Sequence, residues 1–277
     1  MNSLIFMIRE TLQMKILSEI FWHTRRRDMI LKGGMAMRIT ANSLRYTKDI
    51  DLDANPLKEP EYAKETIRAA IRKATVTCSN YIRNARVTEP KQTDTTLRWK
   101  INGTIADTGE PFNLTVEVSR RGLLNEDHVI TTTFVPPSEY NLSPVTLETY
   151  DAQALIVAKM NAMLNDNRDA PRDLYDLHIL FSMNVEPDAA LMTDFIKRHS
   201  MPAEELAYRI WNKLDMMTWE RFREEVIPYL EKAEASRITE EYFHKIVMMT
   251  GEKIETIITR FDPGENNDDH NQPGQTL

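Results

Sequence analysis

The stretch from Ile30 to Ala54, ILKGGMAMRITANSLRYTKDIDLDA, constrains this chain more than any other. Met29-Ile30-Leu31 is a short apolar run, as in a buried strand, and Gly33-Gly34 ends it. Met35 to Ile39 then begins a helix, with Asn42-Ser43 as its breaker. From Asp49 to Asp53 acidic and apolar residues alternate, which is the period of a strand. Asp49 and Asp51 therefore point to one side, while Ile50 and Leu52 point into a core. Two carboxylates held that close repel each other and need a shared proton, a basic partner or a cation. Their hard oxygen ligands suit magnesium, the usual companion of nucleotide phosphates. With no Cβ, the glycines let a phosphate approach the backbone, where the first N–H groups of the next helix can donate to it. The order strand, Gly-Gly, helix, Asp-x-Asp strand thus fits a site where glycines take a triphosphate and aspartates take its metal. Each piece alone has a plainer meaning: a solvated strand edge, or a turn.

The rest of the chain divides in two. Leu4, Ile8, Leu12, Ile16 and Ile20 recur at helical spacing, widened by Leu17 and Phe21, and predict a helix over 4–24. Arg25, Arg26 and Arg27 suit its C-terminal dipole. Pro56 and Pro60 stop the aspartate strand, and Glu61 to Ala74 reads as a helix. Strand-like segments follow at 85–88, 95–101, 112–118 and 128–134, and Pro136-Pro137 marks a boundary. From Leu147 the pattern is helical, with candidates at 147–165, 171–182, 187–199, 203–213, 218–234 and 239–259. The polar stretch from Asp262 on is expected to be disordered. The expected class is α+β: a mixed, twisted β-sheet flanked by helices in 1–146, an all-α helical bundle in 147–261, and a tail over 262–277.

Composition removes several alternatives. Cys78 is the one cysteine, which excludes an internal disulfide framework and a Cys-rich zinc site, and the six histidines show no metal-ligand spacing. Arg9, Glu10 and Lys15 interrupt the apolar start before a signal peptide can form, and no apolar run has the length of a membrane span. A soluble, cytoplasmic protein is the expectation. The formal net charge of −7 argues against nonspecific nucleic-acid binding by the whole chain. Yet residues 1–130 hold 21 Lys and Arg against 16 Asp and Glu, while the remainder holds 14 against 26. The part with the opening motif is the basic part. That suits a polyanionic substrate, or simply a solvated surface.

Gly33-Gly34 followed by Asp49-Ile50-Asp51 resembles the signature of the polymerase-β-type nucleotidyltransferase superfamily. The longer strings LKGGMAM and RYTKDIDLD are similar to the AbiEii/AbiGii branch, nucleotidyltransferase toxins of toxin–antitoxin and phage-abortive systems. AKMNAMLNDNRDAPRDLYDLHIL, from Ala158 to Leu180, resembles that family's later block, a Lys on one helix and Arg-Asp-x-x-Asp-Leu on the next. The resemblance spans roughly residues 15 to 182. Met35 departs from it, standing where the family often has a small hydroxyl residue, and Thr47 replaces the usual Ser.

The resemblance implies a nucleotidyltransferase domain at the N-terminus. It also implies Mg2+ (or Mn2+) as cofactor and an NTP as substrate. Transfer would be of a nucleoside monophosphate to an acceptor hydroxyl, for several relatives the 3′ end of tRNA, which blocks translation. It implies a cognate antitoxin, which in part of the family modifies the hydroxyl just before the first aspartate, here Thr47. Asp49 and Asp51 would hold metal, and Gly33, Gly34, Arg45, Thr47 and Lys159 would contact nucleotide. Glu117 is the candidate third carboxylate, with Asp53 and Asp107 as competitors and a pleat-exposed structural glutamate as the plainer reading. Lys159 would neutralise charge on the leaving group, as against an ordinary snorkelling lysine. Asp176, or its neighbour Asp173, would orient Lys159 or act as base; an Arg–Asp network with Arg168 and Arg172 is the alternative. Arg83, Arg86, Arg98, Lys100, Arg120 and Arg121 are scattered basic residues that either track RNA or are surface charges. Two other functions stay open: a degenerate fold serving as a binding module, and the same chemistry on protein hydroxyls.

Overall fold

A computed structural model describes residues 3–165 and 170–261 of the chain. The expected tail and Arg168 lie outside the described residues. Contacts divide the chain into two units. One runs through Leu155 and takes in Val226–Arg237; the other runs over Ile156–Glu225 and resumes at Ile238.

The first unit is built on a mixed sheet of seven strands. They are β1 (Met29–Lys32), β2 (Asp49–Ala54), β3 (Ile82–Gln92), β4 (Thr96–Ile105), β5 (Pro111–Ser119), β6 (Val129–Phe134) and β7 (Val145–Tyr150), in the order β3-β4-β5-β2-β1-β7-β6. β2 pairs antiparallel with β1 and parallel with β5, and β1 pairs parallel with β7. β3–β4, β4–β5 and β6–β7 are antiparallel. The two strands of the opening motif are thus central, and Met29, Ile30, Leu31, Ile50 and Leu52 are fully buried. β3 runs longer than its expected core and carries Pro90, which an edge strand tolerates.

The helices α1 (Ser3–His23), α2 (Gly33–Thr40) and α3 (Pro60–Thr77) belong to this unit. α1 packs against α3 and β7. Of its expected stripe, Ile8, Leu12, Ile16, Leu17 and Ile20 are buried and Leu4 and Phe21 half-buried, but Arg9, Glu10 and Gln13 on its other faces are buried too. A helix covered all round can carry such residues only where each polar head finds a partner.

Two expectations are corrected here. Residues 147–150 are strand, not the start of a helix. β7 carries the β-branched Val145, Thr146 and Thr149 and lies beside β1, where the Thr149 hydroxyl donates to the Leu31 carbonyl at 3.0 Å. The helix, α4 (Ala152–Met163), starts after Asp151, whose carboxylate accepts from the Ala154 N–H at 3.0 Å. Nor is 218–234 one helix. α8 (Trp219–Glu225) ends before Pro228, and the chain continues as a 3-10 turn, Ile227–Tyr229, and the short α9 (Lys232–Ala235), both in the first unit.

The second unit is helical: the end of α4, then α5 (Pro171–Ser182), α6 (Ala189–His199), α7 (Ala203–Asp215), α8 and α10 (Glu240–Arg260). α10 packs on α5, α7 and α8. The rings of Phe222 and Phe243, 5.1 Å apart, are part of its core with Tyr175 and Trp219. No helix among the described residues is long and apolar enough to cross a membrane.

Candidate active site

β1 turns into α2 at Gly33, whose φ of +69° lies in the left-handed region that disfavours a side chain. A Cβ on Gly33 would collide with the carboxylate of Asp51. A Cβ on Gly34 would stand 2.9 Å from the Thr47 hydroxyl and 3.3 Å from a terminal nitrogen of Arg45. The residues are glycines because the motif's own side chains press against the turn. The antiparallel register, with Lys32 opposite Asp51, enforces that approach. α2 opens on Lys32 with no side-chain cap and no acid in its first turn, so its positive end has no acid of its own there.

Asp49 and Asp51 are half-buried on one face of β2, as the alternation predicts. β5 runs beside β2 with Glu117 directly opposite Asp51. Glu117 accepts from Arg98 Nε at 2.7 Å, and Arg98 is its register partner on β4. The competitors sit differently. Asp53 is buried and accepts from Lys32 Nζ at 2.6 Å and from the Tyr150 hydroxyl at 2.8 Å. Burial, and then the Asp53 charge, hold the Tyr150 phenol well above its ordinary range. Asp107 is in the exposed turn between β4 and β5, at the end of β5 remote from Glu117.

The donor chemistry suits a hard divalent cation: two carboxylates on one pleat and a third in register. The third is drawn toward Arg98, and among the described residues no three His, Cys, Asp or Glu side chains are gathered as a ready metal cluster. Asp49 and Asp51 share one face of β2, and their oxygens are of the kind such an ion takes. Glu117 is paired with Arg98.

The loop into β2 is pinned on several sides. The Tyr46 N–H donates to the Tyr229 carbonyl at 2.7 Å, and the Glu231 N–H to the Leu44 carbonyl at 3.0 Å. Lys48 Nζ lies 5.0 Å from the Tyr229 ring centre. The Asp49 N–H donates to the Thr47 hydroxyl at 3.3 Å, so Thr47 shapes the turn just before the first aspartate. Arg45 is buried, and its N–H donates to the Ser43 hydroxyl. Behind α2, buried Arg38 grips Glu10 through two bonds, of 2.7 and 3.0 Å, and Tyr140 donates to the same carboxylate at 2.6 Å. Burial opposes the Arg38 charge, but the Glu10 charge and hydrogen bonds outweigh it and hold the guanidinium above its ordinary value. From α1, Gln13 donates to the carbonyls of Thr47 and Asp49, at 3.2 and 3.3 Å. Met35 is packed in the core, so its side chain is occupied there.

In the second unit, the Lys159 ammonium donates to Asp173 at 2.8 Å and to Asp176 at 2.6 Å, with all three groups buried. The later sequence block is therefore a lysine held between two carboxylates, and both aspartates are its partners. Arg172 donates through Nε to the Glu225 carbonyl at 3.1 Å. Of the scattered basic residues, Arg83 and Arg86 lie on the edge strand β3, and Arg120 donates to the Asp94 carbonyl at 2.8 Å.

Residues 15–260 match the model of a family described as nucleotidyl transferase AbiEii toxin, type IV toxin–antitoxin system. Two solved structures from Helicobacter pylori are similar along nearly the whole chain. One is JHP933, at 19% identity and a TM-score of 0.53, covering 91% of each chain. The other is a candidate nucleotidyltransferase, at 16% identity and a TM-score of 0.51, covering 92% of this chain and 96% of that one. At those identities the likeness is one of fold. No curated protein matches the chain.

Proposed function

This chain belongs to the AbiEii family of nucleotidyltransferase toxins of type IV toxin–antitoxin systems, and from that premise we propose the reaction and the residues that serve it. The protein transfers a nucleoside monophosphate from an NTP to the 3′ end of tRNA, with Mg2+ or Mn2+. The acceptor oxygen forms a bond to the α-phosphorus, the bond from that phosphorus to the α–β bridging oxygen breaks, and pyrophosphate leaves. The hydroxyl proton passes to a carboxylate of the site.

One observation carries this reading. The Asp51 carboxylate lies so close to the Gly33 turn that no side chain fits between them. A triphosphate cradled by the opening N–H groups of α2 would then lie beside the two aspartates. Gly33 and Gly34 would meet its phosphates through their backbone N–H groups, and Arg45 and Thr47 line the same turn. Asp49 and Asp51 would hold the metal, with Glu117, here paired with Arg98, as the third carboxylate. The ion would offset charge on the attacking and leaving oxygens. In the second unit Lys159 is the family block's lysine, buried between Asp173 and Asp176. Asp176, together with Asp173, orients the lysine; its complete burial favours that task over proton abstraction. Blocked translation and growth arrest would follow from the tRNA acceptor in a cytoplasmic setting, and the type IV toxin–antitoxin family supports control by a cognate antitoxin and a role in phage defence.

The test is incubation of the purified protein with each α-labelled NTP, Mg2+ and bulk tRNA. Label should enter the RNA with wild type and not with Asp49→Asn. Label on protein would move the acceptor to a protein hydroxyl. No transfer, together with no metal-dependent NTP binding, would leave a catalytically silent module.

A further inference from the structure

We propose that Gln13 is a positioning residue for the aspartate pair, acting from a segment that precedes the family match. The inference rests on the metal-binding reading of Asp49 and Asp51 and adds a residue to it. Gln13 is only 1% exposed, and its amide nitrogen donates to two carbonyls, of Thr47 at 3.2 Å and of Asp49 at 3.3 Å. Those carbonyls bracket the turn that delivers Asp49 to β2. One amide group has two N–H bonds, so a single side chain fixes both ends of that turn.

Arg9 stands one helical turn earlier on the same face of α1. It is also buried, and its Nε donates to the Asn113 carbonyl at 3.2 Å, on the strand that carries Glu117. α1 thus holds the start of β2 with Gln13 and the start of β5 with Arg9. These three bonds bear on the parallel register that sets Asp51 opposite Glu117. The family match begins at residue 15, so both residues lie outside it.

A side chain that pins the backbone of a ligating residue acts as an outer-shell partner does at a metal site, where loss costs roughly 10- to 100-fold in affinity or activity. The experiment is Mn2+ binding, followed by electron paramagnetic resonance, to the wild-type chain and to Gln13→Met, which keeps the volume and removes the donor. Circular dichroism and thermal melts fix the folded fraction of each. Mn2+ affinity should fall about 10-fold in folded Q13M, and the maximal transfer rate should fall while the NTP KM at saturating metal stays close to wild type. Should Q13M fail to fold, Gln13→Asn, which keeps an amide too short to span both carbonyls, is measured in the same way. Equal Mn2+ affinity and equal turnover in a folded variant would overturn the inference. If the wild type itself binds no Mn2+, the metal reading of the aspartates falls first, and the positioning role with it.

Discussion

Gly33→Ala probes the turn most sharply. At a φ of +69° an L-residue with a Cβ costs roughly 1–2 kcal/mol of backbone strain. The added methyl also meets the Asp51 carboxylate at less than contact distance. That carboxylate is the far end of a short side chain on a central strand, so it can rotate aside, and the fold survives. In a domain of this size each kcal/mol lowers the melting temperature by about 2–4 °C, so a loss of about 2–8 °C is expected. The functional loss should be far larger. A displacement near 1 Å of a group that must hold the reacting centre costs on the order of 100-fold in rate. Thermal melts and label transfer from NTP to tRNA, run on the same preparation, separate the two effects. Gly34→Ala is the internal comparison. Its Cβ meets the Thr47 hydroxyl at 2.9 Å from an ordinary helical backbone, so it should be milder on both measures. A Gly33→Ala protein with wild-type melting and wild-type transfer would refute the reasoning, because the close approach of turn and carboxylate would then have no consequence.

Lys159→Met strands two buried carboxylates, which should cost about 3–5 kcal/mol in urea unfolding, whereas exposed pairs such as Arg209–Glu205 should matter little. Arg98→Gln frees Glu117 and should tighten Mn2+ binding by at most about 5-fold, read by titration; weaker binding would assign Glu117 elsewhere. Alkaline pH should destabilise the fold. The Tyr62 phenol is pushed up to about 12, first by burial and then by its bond to Asp28, and Tyr140 and Tyr150 are raised as well. The unfolded chain releases these protons near pH 10 while the folded chain keeps them, so stability falls as pH climbs from about 10 toward 12. Melts between pH 8 and 11 should show that decline, and Tyr150→Phe should lower stability at pH 8 by about 1–3 kcal/mol, by removing a donor to buried Asp53.

Much of the site was legible because its geometry is local. Two-residue alternation placed Asp49 and Asp51 on one face, and the glycine pair marked the turn before α2. Glu117 could be named from its own alternation, but its place opposite Asp51 is a matter of register between β2 and β5, which no local pattern encodes. Gln13 and Arg9 look like the wet side of an amphipathic helix, and only burial of that side against the β2 and β5 carbonyls gives them a task. The stretch 147–150 was absorbed into a helix because the Ala-rich segment behind it has strong helical character; pairing with β1 and β6 decided otherwise. Pro228 was a visible signal within 218–234, but that Val226–Arg237 joins the first unit is a tertiary fact.

The most direct test of the central claim is a crystal structure with Mn2+ and a non-hydrolysable NTP, read from anomalous scattering. The account predicts a metal peak bridged by Asp49 and Asp51, with the triphosphate lying along the backbone from Gly33 into α2. A metal and nucleotide bound elsewhere, with the two carboxylates turned apart, would contradict it.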